Sequence, residues 1–327
     1  MEKDRKIDHD KNYESNLKKQ FKEFKTDLNS YKNCTEEFMK SSNFLINTLF
    51  LDYEVGKPQP LLNNIQLMSL EVLKFVKNVC RKHDISWWLD FGNLLGAHRH
   101  GGFIPWDDDM DIGMMREDYL KFDKIIAKEI KTQGLDEYVD TGYRPFKPGI
   151  PKFIQVYVRH EVDIADFRYI LGNVDVFPYE YIKKYDENTI FDEYRAAKNK
   201  YLDTRNKALN SYFIFDNYYE DLNLSWEPTD YVIPGWENPC TPDDMYRLII
   251  FERDKIFPLN EIEFAGDTFP CPNDLDYYLN KIYPNFMKIP INLRTHNRIG
   301  RFNYNTNNDE AFSTCINLLR EVNRDFK

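Results

Sequence analysis

The run Ile104-Pro105-Trp106-Asp107-Asp108-Asp109-Met110-Asp111-Ile112-Gly113-Met114 sets four carboxylates among side chains that demand burial. Side chains alternate faces in an extended strand, so Asp107, Asp109 and Asp111 are expected on one face and Asp108, Met110 and Ile112 on the other. Carboxylates this close repel one another, a cost that a purely structural strand has no reason to carry. A divalent cation removes it, and oxygen donors of this kind suit Mg²⁺ or Mn²⁺. A solvated acidic turn is the competing structural reading, and Met110, Ile112 and Met114 argue against it. A calcium loop counted from Asp107 fails, because Ile112 stands where an EF-hand needs glycine and Asp118 where it needs a bidentate glutamate.

The residues before the carboxylates complete the chemistry. Gly92-Asn93 follows an apolar stretch and precedes a helical turn, and a glycine there lets backbone N–H groups approach a phosphate at a helix N-terminus. Arg99 has the fork that clamps phosphate, and His100 is a phosphate donor, a partner to an aspartate or a structural histidine. Neither G-x-G-x-x-G nor G-x-x-x-x-G-K-[ST] occurs, which excludes dinucleotide and Walker-type sites. A phosphate cradle followed by an Asp-x-Asp metal strand describes a nucleotidyltransferase-type centre.

These residues need elements to hold them. Ile65, Met68, Val72, Val76 and Val79 form a helical stripe ending near Lys82-His83-Asp84. Ile85–Phe91 reads as a buried strand, 104–114 as a second strand and 116–131 as a helix. Phe153–Val158 and Val162–Phe167 are expected to form a hairpin, and Asn173–Phe177 a short strand. Residues 186–225 read as helices with loops, with further helices near 242–256 and 274–282. Strands interleaved with helices give an α+β, mixed α/β class.

The N-terminal segment carries Leu17, Phe21, Phe24, Leu28, Tyr31, Phe38, Leu45 and Leu49 at helical spacing, flanked by lysines 18, 19, 22, 25 and 32. It is read as an amphipathic helix that packs on its own domain or, through residues 15–50, touches a membrane surface or a partner. The expected organisation is an extension over 1–57, a catalytic domain over 58–290 and a C-terminal segment over 291–327 packing on that domain.

Composition narrows the function. With 44 basic and 54 acidic residues, the chain's formal charge of −10 gives no basic face for nucleic acid. No run approaches the ~18 apolar residues of a membrane span, and the first thirty are charged where a signal core would be apolar. The five cysteines form no C-x-x-C pair, so a reducing compartment is expected.

Trp88-Leu89-Asp90-Phe91-Gly92-Asn93-Leu94-Leu95-Gly96-Ala97, then Arg99-His100, Gly102 to Ile112 and Arg116-Glu117-Asp118-Tyr119 resemble the LicD family, which includes the fukutin-type transferases. Val174-Asp175-Val176-Phe177-Pro178 and Phe257-Pro258-Leu259 add to it, and the likeness covers about 61–290. It implies a nucleotidyltransferase-like fold, a small mixed sheet flanked by helices. Family members look like enzymes that move phosphocholine or an alditol phosphate from a CDP-activated donor to a glycan hydroxyl, releasing CMP, in lipopolysaccharide, teichoic acid or capsule synthesis. Carried over, Asp109 and Asp111 match the metal pair, and Asp175 a third acidic position on a neighbouring strand. The three are the expected catalytic and metal residues, with Mg²⁺ or Mn²⁺ as cofactor. Gly92, Asn93, Arg99, His100, Trp106 and Asp107 are the expected substrate contacts. Trp87, Trp88, Trp106, Tyr179, Trp226 and Trp236 are candidates for an aromatic cage around a quaternary ammonium.

Asn93 stands where the family commonly has a small hydroxyl residue, and Tyr283-Pro284 where it has Tyr-Gly. The alternatives are a nucleotidyltransferase that releases pyrophosphate, and a non-catalytic metal-binding scaffold. The expected place is the cytoplasm, at the inner membrane face where lipid-linked glycans assemble.

Overall fold

In a computed structural model of the chain, the described residues are 19, 22, 24–36, 60–144, 153–159, 161–164, 167–170, 172–207, 212–237, 248–288 and 309–326. Two compact units are distinguished, one containing residues 1–57 and the other containing 58–288 and 297–327. In the first, residues 24–36 form a helix (α1), and Phe24, Leu28 and Tyr31 are exposed along it. The rest of the N-terminal apolar stripe, at Leu17, Phe21, Phe38, Leu45 and Leu49, lies outside the described residues, as do 242–247.

In the second unit the order is α2 (Pro60–His83), β1 (Trp88–Leu89), α3 (Phe91–His100), β2 (Asp111–Met115), α4 (Arg116–Thr132), β3 (Val139–Arg144), β4 (Phe153–Val158), β5 (Glu161–Ile164), β6 (Phe167–Ile170) and β7 (Asn173–Ile182). Then follow α5 (Ile190–Lys207), α6 (Tyr212–Asp221), β8 (Leu224–Ser225), β9 (Tyr231–Pro234), β10 (Phe251–Glu252), α7 (Arg253–Ile256), β11 (Asn260–Phe264), β12 (Asp267–Cys271), α8 (Leu275–Ile282) and α9 (Asp309–Arg324). The class is α+β.

An eight-stranded mixed sheet runs β1-β2-β7-β4-β3, with β8, β9 and β10 attached beyond. β7 is its spine: it is parallel to β2, with Asp111 opposite Asp175, and antiparallel to β4 and β9. Nearly every β7 residue is buried, as a strand covered on both faces requires. α2 presents Ile65, Met68, Val72, Val76 and Val79 to the interior, all at 1% exposure or less. α9 lies along α2: Asn323 Nδ2 donates to the Glu71 carbonyl at 2.9 Å, and Phe326 meets Phe75 ring to ring.

Several expected elements fall differently. The strand foreseen over 104–114 starts only at Asp111. Pro105 fixes a turn in which the Asp107 N–H donates to the Ile104 carbonyl at 2.9 Å, and Gln66 of α2 donates to the Asp107 carbonyl at 2.8 Å. Phe153–Val158 does not form a hairpin with the segment after it. It enters the main sheet between β3 and β7, while β5 pairs with β6 in a separate ribbon. β1 is two residues long because Asp90 already caps α3.

Arg116 locks this unit together. Its buried guanidinium donates to Glu180 of β7 and to Glu237, and the Glu237 Oε1 contact is 2.7 Å. Gly235 admits it, since a Cβ there would stand 2.9 Å from Arg116 Nη2. Paired so, the guanidinium is held above even its ordinary high pKa by the two carboxylates, against the opposing effect of burial.

Candidate active site

The site forms where β1 turns into α3 and where β2 and β7 begin. Asp90 N–H donates to the Asp111 carbonyl at 3.0 Å, which seats the start of α3 against the start of β2. The Asp90 carboxylate accepts the Phe91 N–H at 2.8 Å as helix cap, and accepts the hydroxyls of Tyr179 and Tyr278. Phe91 itself has φ 41°, a left-handed conformation that an aromatic residue adopts only when its surroundings impose it. The turn points the first N–H groups of α3, which have no partner inside the helix, out of its positive end.

Gly92 and Asn93 are the second and third residues of that helix. A Cβ at Gly92 would sit 2.7 Å from Asp107 Oδ2, so the glycine is what lets the carboxylate loop close onto the helix start. Asn93 is buried, and its side-chain amide nitrogen has no hydrogen-bond partner among the described residues.

The loop gathers its carboxylates more tightly than strand alternation predicts. Oxygens of Asp107, Asp108 and Asp109 lie within 4.8 Å of one another, with Asp107 and Asp108 buried. Asp108 therefore stands with its neighbours and not on an opposite face, because the chain is not yet a strand there. Asp111 and Asp175 face each other across the parallel β2–β7 pair, and the Asp175 N–H donates to the Met110 carbonyl at 2.7 Å. The Asp111 carboxyl is pushed well above the usual carboxylate range, first by burial and then by the charges of Asp109, Asp175, Asp107 and Asp90. That is the electrostatic state a dication would relieve, and an all-oxygen donor set is the chemistry that holds Mg²⁺ or Mn²⁺.

Three contributors escaped the sequence reading. Asn173 Nδ2 donates to Asp175 Oδ1 at 2.8 Å, Gln155 Nε2 donates to the same oxygen, and Asp90 joins the cluster through the β1–α3 turn. Gln155 had a signal, as the lone polar side chain of the apolar strand Phe153–Val158.

The remaining expected contacts are placed apart from the helix start. Arg99 is in the last turn of α3, where its Nη1 donates to the Phe286 carbonyl at 2.9 Å and its Nε to His100 Nε2 at 2.9 Å. Asp107 still raises the Arg99 pKa against the larger lowering by burial, so the two charges sense each other. The bond from Arg99 requires an unprotonated His100 Nε2, and burial together with the Arg99 charge lowers the His100 pKa. Trp106 is buried in the Pro105 turn.

The site thus sets a mixed sheet, whose parallel pair carries facing aspartates, beside a glycine-started helix. Residues 84–204 match the family described as LicD/FKTN/FKRP, nucleotidyltransferase domain. The chain is 24% identical over 252 residues to the lipopolysaccharide cholinephosphotransferase LicD of Haemophilus influenzae, covering 69% of this chain and 91% of that protein. It is 46% identical over 48 residues to human ribitol 5-phosphate transferase FKRP, and 42% identical over 62 residues to an uncharacterized protein of Rickettsia typhi. Those two matches are local, spanning 10% and 20% of the relatives. Over residues 84–204 the chain is similar to this family of phosphotransferases.

Proposed function

We propose that this chain transfers a phosphoalcohol, phosphocholine or an alditol phosphate, from a CDP-activated donor to a glycan hydroxyl. The observation that carries the reading is the pairing of Asp111 with Asp175 across β2–β7, beside the Asp107–Asp109 cluster and the start of α3. The names of the bacterial and human relatives, a cholinephosphotransferase and a ribitol 5-phosphate transferase, support both candidate groups.

In this reading the N–H groups of Gly92 and Asn93 and the Asn93 amide bind donor phosphate at the positive end of α3. Asp109, clustered with Asp107 and Asp108, would hold Mg²⁺ or Mn²⁺ on the side facing Asp111 and Asp175, the other two acids the family resemblance implies. Bound there, the ion supplies charge neutralisation to the diphosphate. Asp175, its rotamer fixed by Gln155 and Asn173, takes the proton of the acceptor hydroxyl as that oxygen forms its bond to the distal phosphorus. The phosphorus–oxygen bond to the CMP moiety breaks, and CMP departs with the electron pair. Arg99 balances charge near Asp107 from the far end of α3.

The test is CMP release from CDP-choline and CDP-ribitol with Mg²⁺. Asp109→Asn and Asp111→Asn are expected to reduce turnover by roughly a thousandfold or more while melting at or above the parent temperature in metal-free buffer, since each removes one charge from a mutually repelling group. Full CMP release by either variant would sink the reading. Pyrophosphate as product would replace it with nucleotidyl transfer.

A further inference from the structure

The carboxylate that starts α3 is held by side chains from distant parts of the sequence. Asp90 is buried, and so are its two side-chain donors, Tyr179 of β7 and Tyr278 of α8, the latter 188 residues along the chain. Tyr278 gives its hydroxyl hydrogen to Asp90 Oδ1 at 2.9 Å and accepts the indole N–H of Trp88 at 3.1 Å. Tyr179 gives its hydroxyl hydrogen to Asp90 Oδ2 at 2.5 Å. Phe251 of β10 stacks on the Tyr278 ring at 4.4 Å and 13° between planes, and Trp88 tilts against Tyr179 at 5.0 Å, so packing fixes where both hydroxyls point.

Capping alone does not require this arrangement. A serine or asparagine would satisfy the Phe91 N–H without taking a charge out of water. The turn instead sustains two costs together, a carboxylate with 0% exposure and a left-handed Phe91 at φ 41°. What those costs secure is direction. The Phe91 N–H is drawn back onto Asp90 Oδ1 at 2.8 Å, and the Asp90 N–H on the Asp111 carbonyl ties the same turn to β2. Gly92 and Asn93 follow at once, with N–H groups that have no acceptor within the helix. A small rotation of the Asp90 carboxylate therefore re-aims the groups that open α3.

We propose that Tyr278 and Tyr179 are positioning residues for donor binding: by fixing the Asp90 carboxylate they set the direction of the Gly92 and Asn93 N–H groups toward a diphosphate. This role rests on α3 being the phosphate-binding element. Each phenol acts through Asp90, and neither needs to touch donor or metal. Displacing a binding group by a fraction of an ångström is enough to weaken what it holds.

Tyr278→Phe and Tyr179→Phe each delete one oxygen and leave the ring in place. Both are compared with Phe251→Leu, which thins the packing around the phenols and removes no hydrogen bond of the network. The readouts are pyrophosphate binding to the full chain in Mg²⁺, by titration calorimetry, and donor KM and kcat from CMP release. Each tyrosine variant is expected to weaken pyrophosphate binding and raise donor KM by roughly five- to tenfold, with kcat within about twofold of the parent. Phe251→Leu is expected to lower the melting temperature at least as far and to move neither affinity by more than about twofold. Should Tyr278→Phe unfold, because the Trp88 N–H loses its acceptor, Tyr179→Phe carries the test. Parent-like pyrophosphate affinity in the folded tyrosine variants would overturn the proposal, as would an equal loss in Phe251→Leu, which would make the effect one of packing. A parent chain that binds pyrophosphate but releases no CMP would remove the proposed transfer and leave the positioning role to be read from calorimetry; one that binds no pyrophosphate would remove both.

Discussion

At the scale of single residues, the site mixes groups that fold the chain with groups that cost it stability. Asp90 folds: its carboxylate caps α3 and accepts two tyrosine hydroxyls. Asn93 costs: a buried amide nitrogen with no partner among the described residues forfeits ~1–3 kcal/mol of solvation, which a structural position would not retain. Replacing it by leucine keeps the branched heavy-atom shape and removes the polar atoms. Asn93→Leu is expected to melt at or above the parent and to raise the donor KM roughly tenfold or more, since the lost amide is one the donor phosphate would satisfy. Differential scanning fluorimetry and CMP-release kinetics read the two effects. A lower melting temperature with unchanged KM would make Asn93 a packing residue.

At the scale of elements, what the sequence disclosed and what it withheld have physical reasons. Spacing exposed α2, because five apolar residues repeat at helical period and all are buried. Alternation misread 107–109, because Pro105 and the Gln66 contacts hold those residues in a turn that a two-residue period cannot register. The facing of Asp111 and Asp175 was expected from the family resemblance, but the register that produces it is a property of two strands more than sixty residues apart. Gln155 was invisible as a partner for the same reason: β4 reaches β7 only through the sheet. Two glycines separate chemistry from packing within this frame. A Cβ at Gly113 would lie 2.4 Å from the Trp88 indole, in the core; one at Gly92 would meet the end of the Asp107 side chain at 2.7 Å. Gly113→Ala is expected to lose ~1–3 kcal/mol of stability in urea unfolding, from overpacking. Gly92→Ala is expected to lose under ~1 kcal/mol and yet reduce kcat/KM by roughly a hundredfold, because Asp107 is displaced. The reverse ranking would show that the β1–α3 turn is a structural feature only.

At the scale of the whole molecule, the buried acids set how stability follows pH. Burial raises the Asp90 carboxyl from 3.8 to about 6, against the pull of its three donors, and raises Asp111 further in the same direction. Between the ordinary and the raised value the folded chain binds more protons than the unfolded one, so stability falls as pH climbs through that window and levels off above it. For Asp90 the window is about 4 to 6, and at 1.36 kcal/mol per pH unit its shift corresponds to about 3 kcal/mol. Asp118 adds to the slope over the same range. Glu129, Asp267 and Asp274, held low by lysine and histidine partners or by backbone N–H groups, work the other way, and their contribution is lost as pH falls below about 4. With EDTA present, the melting temperature is therefore expected to be higher at pH 5 than at pH 7.5. Asp111→Asn should narrow that gap, since one raised carboxyl is gone. Saturating Mg²⁺ should lift the melting temperature more at pH 7.5, where the carboxylates are ionised and their repulsion is greatest, than at pH 5. A parent melting temperature that rises from pH 5 to 7.5 in EDTA would mean that the clustered carboxylates do not carry the strain their burial and proximity require.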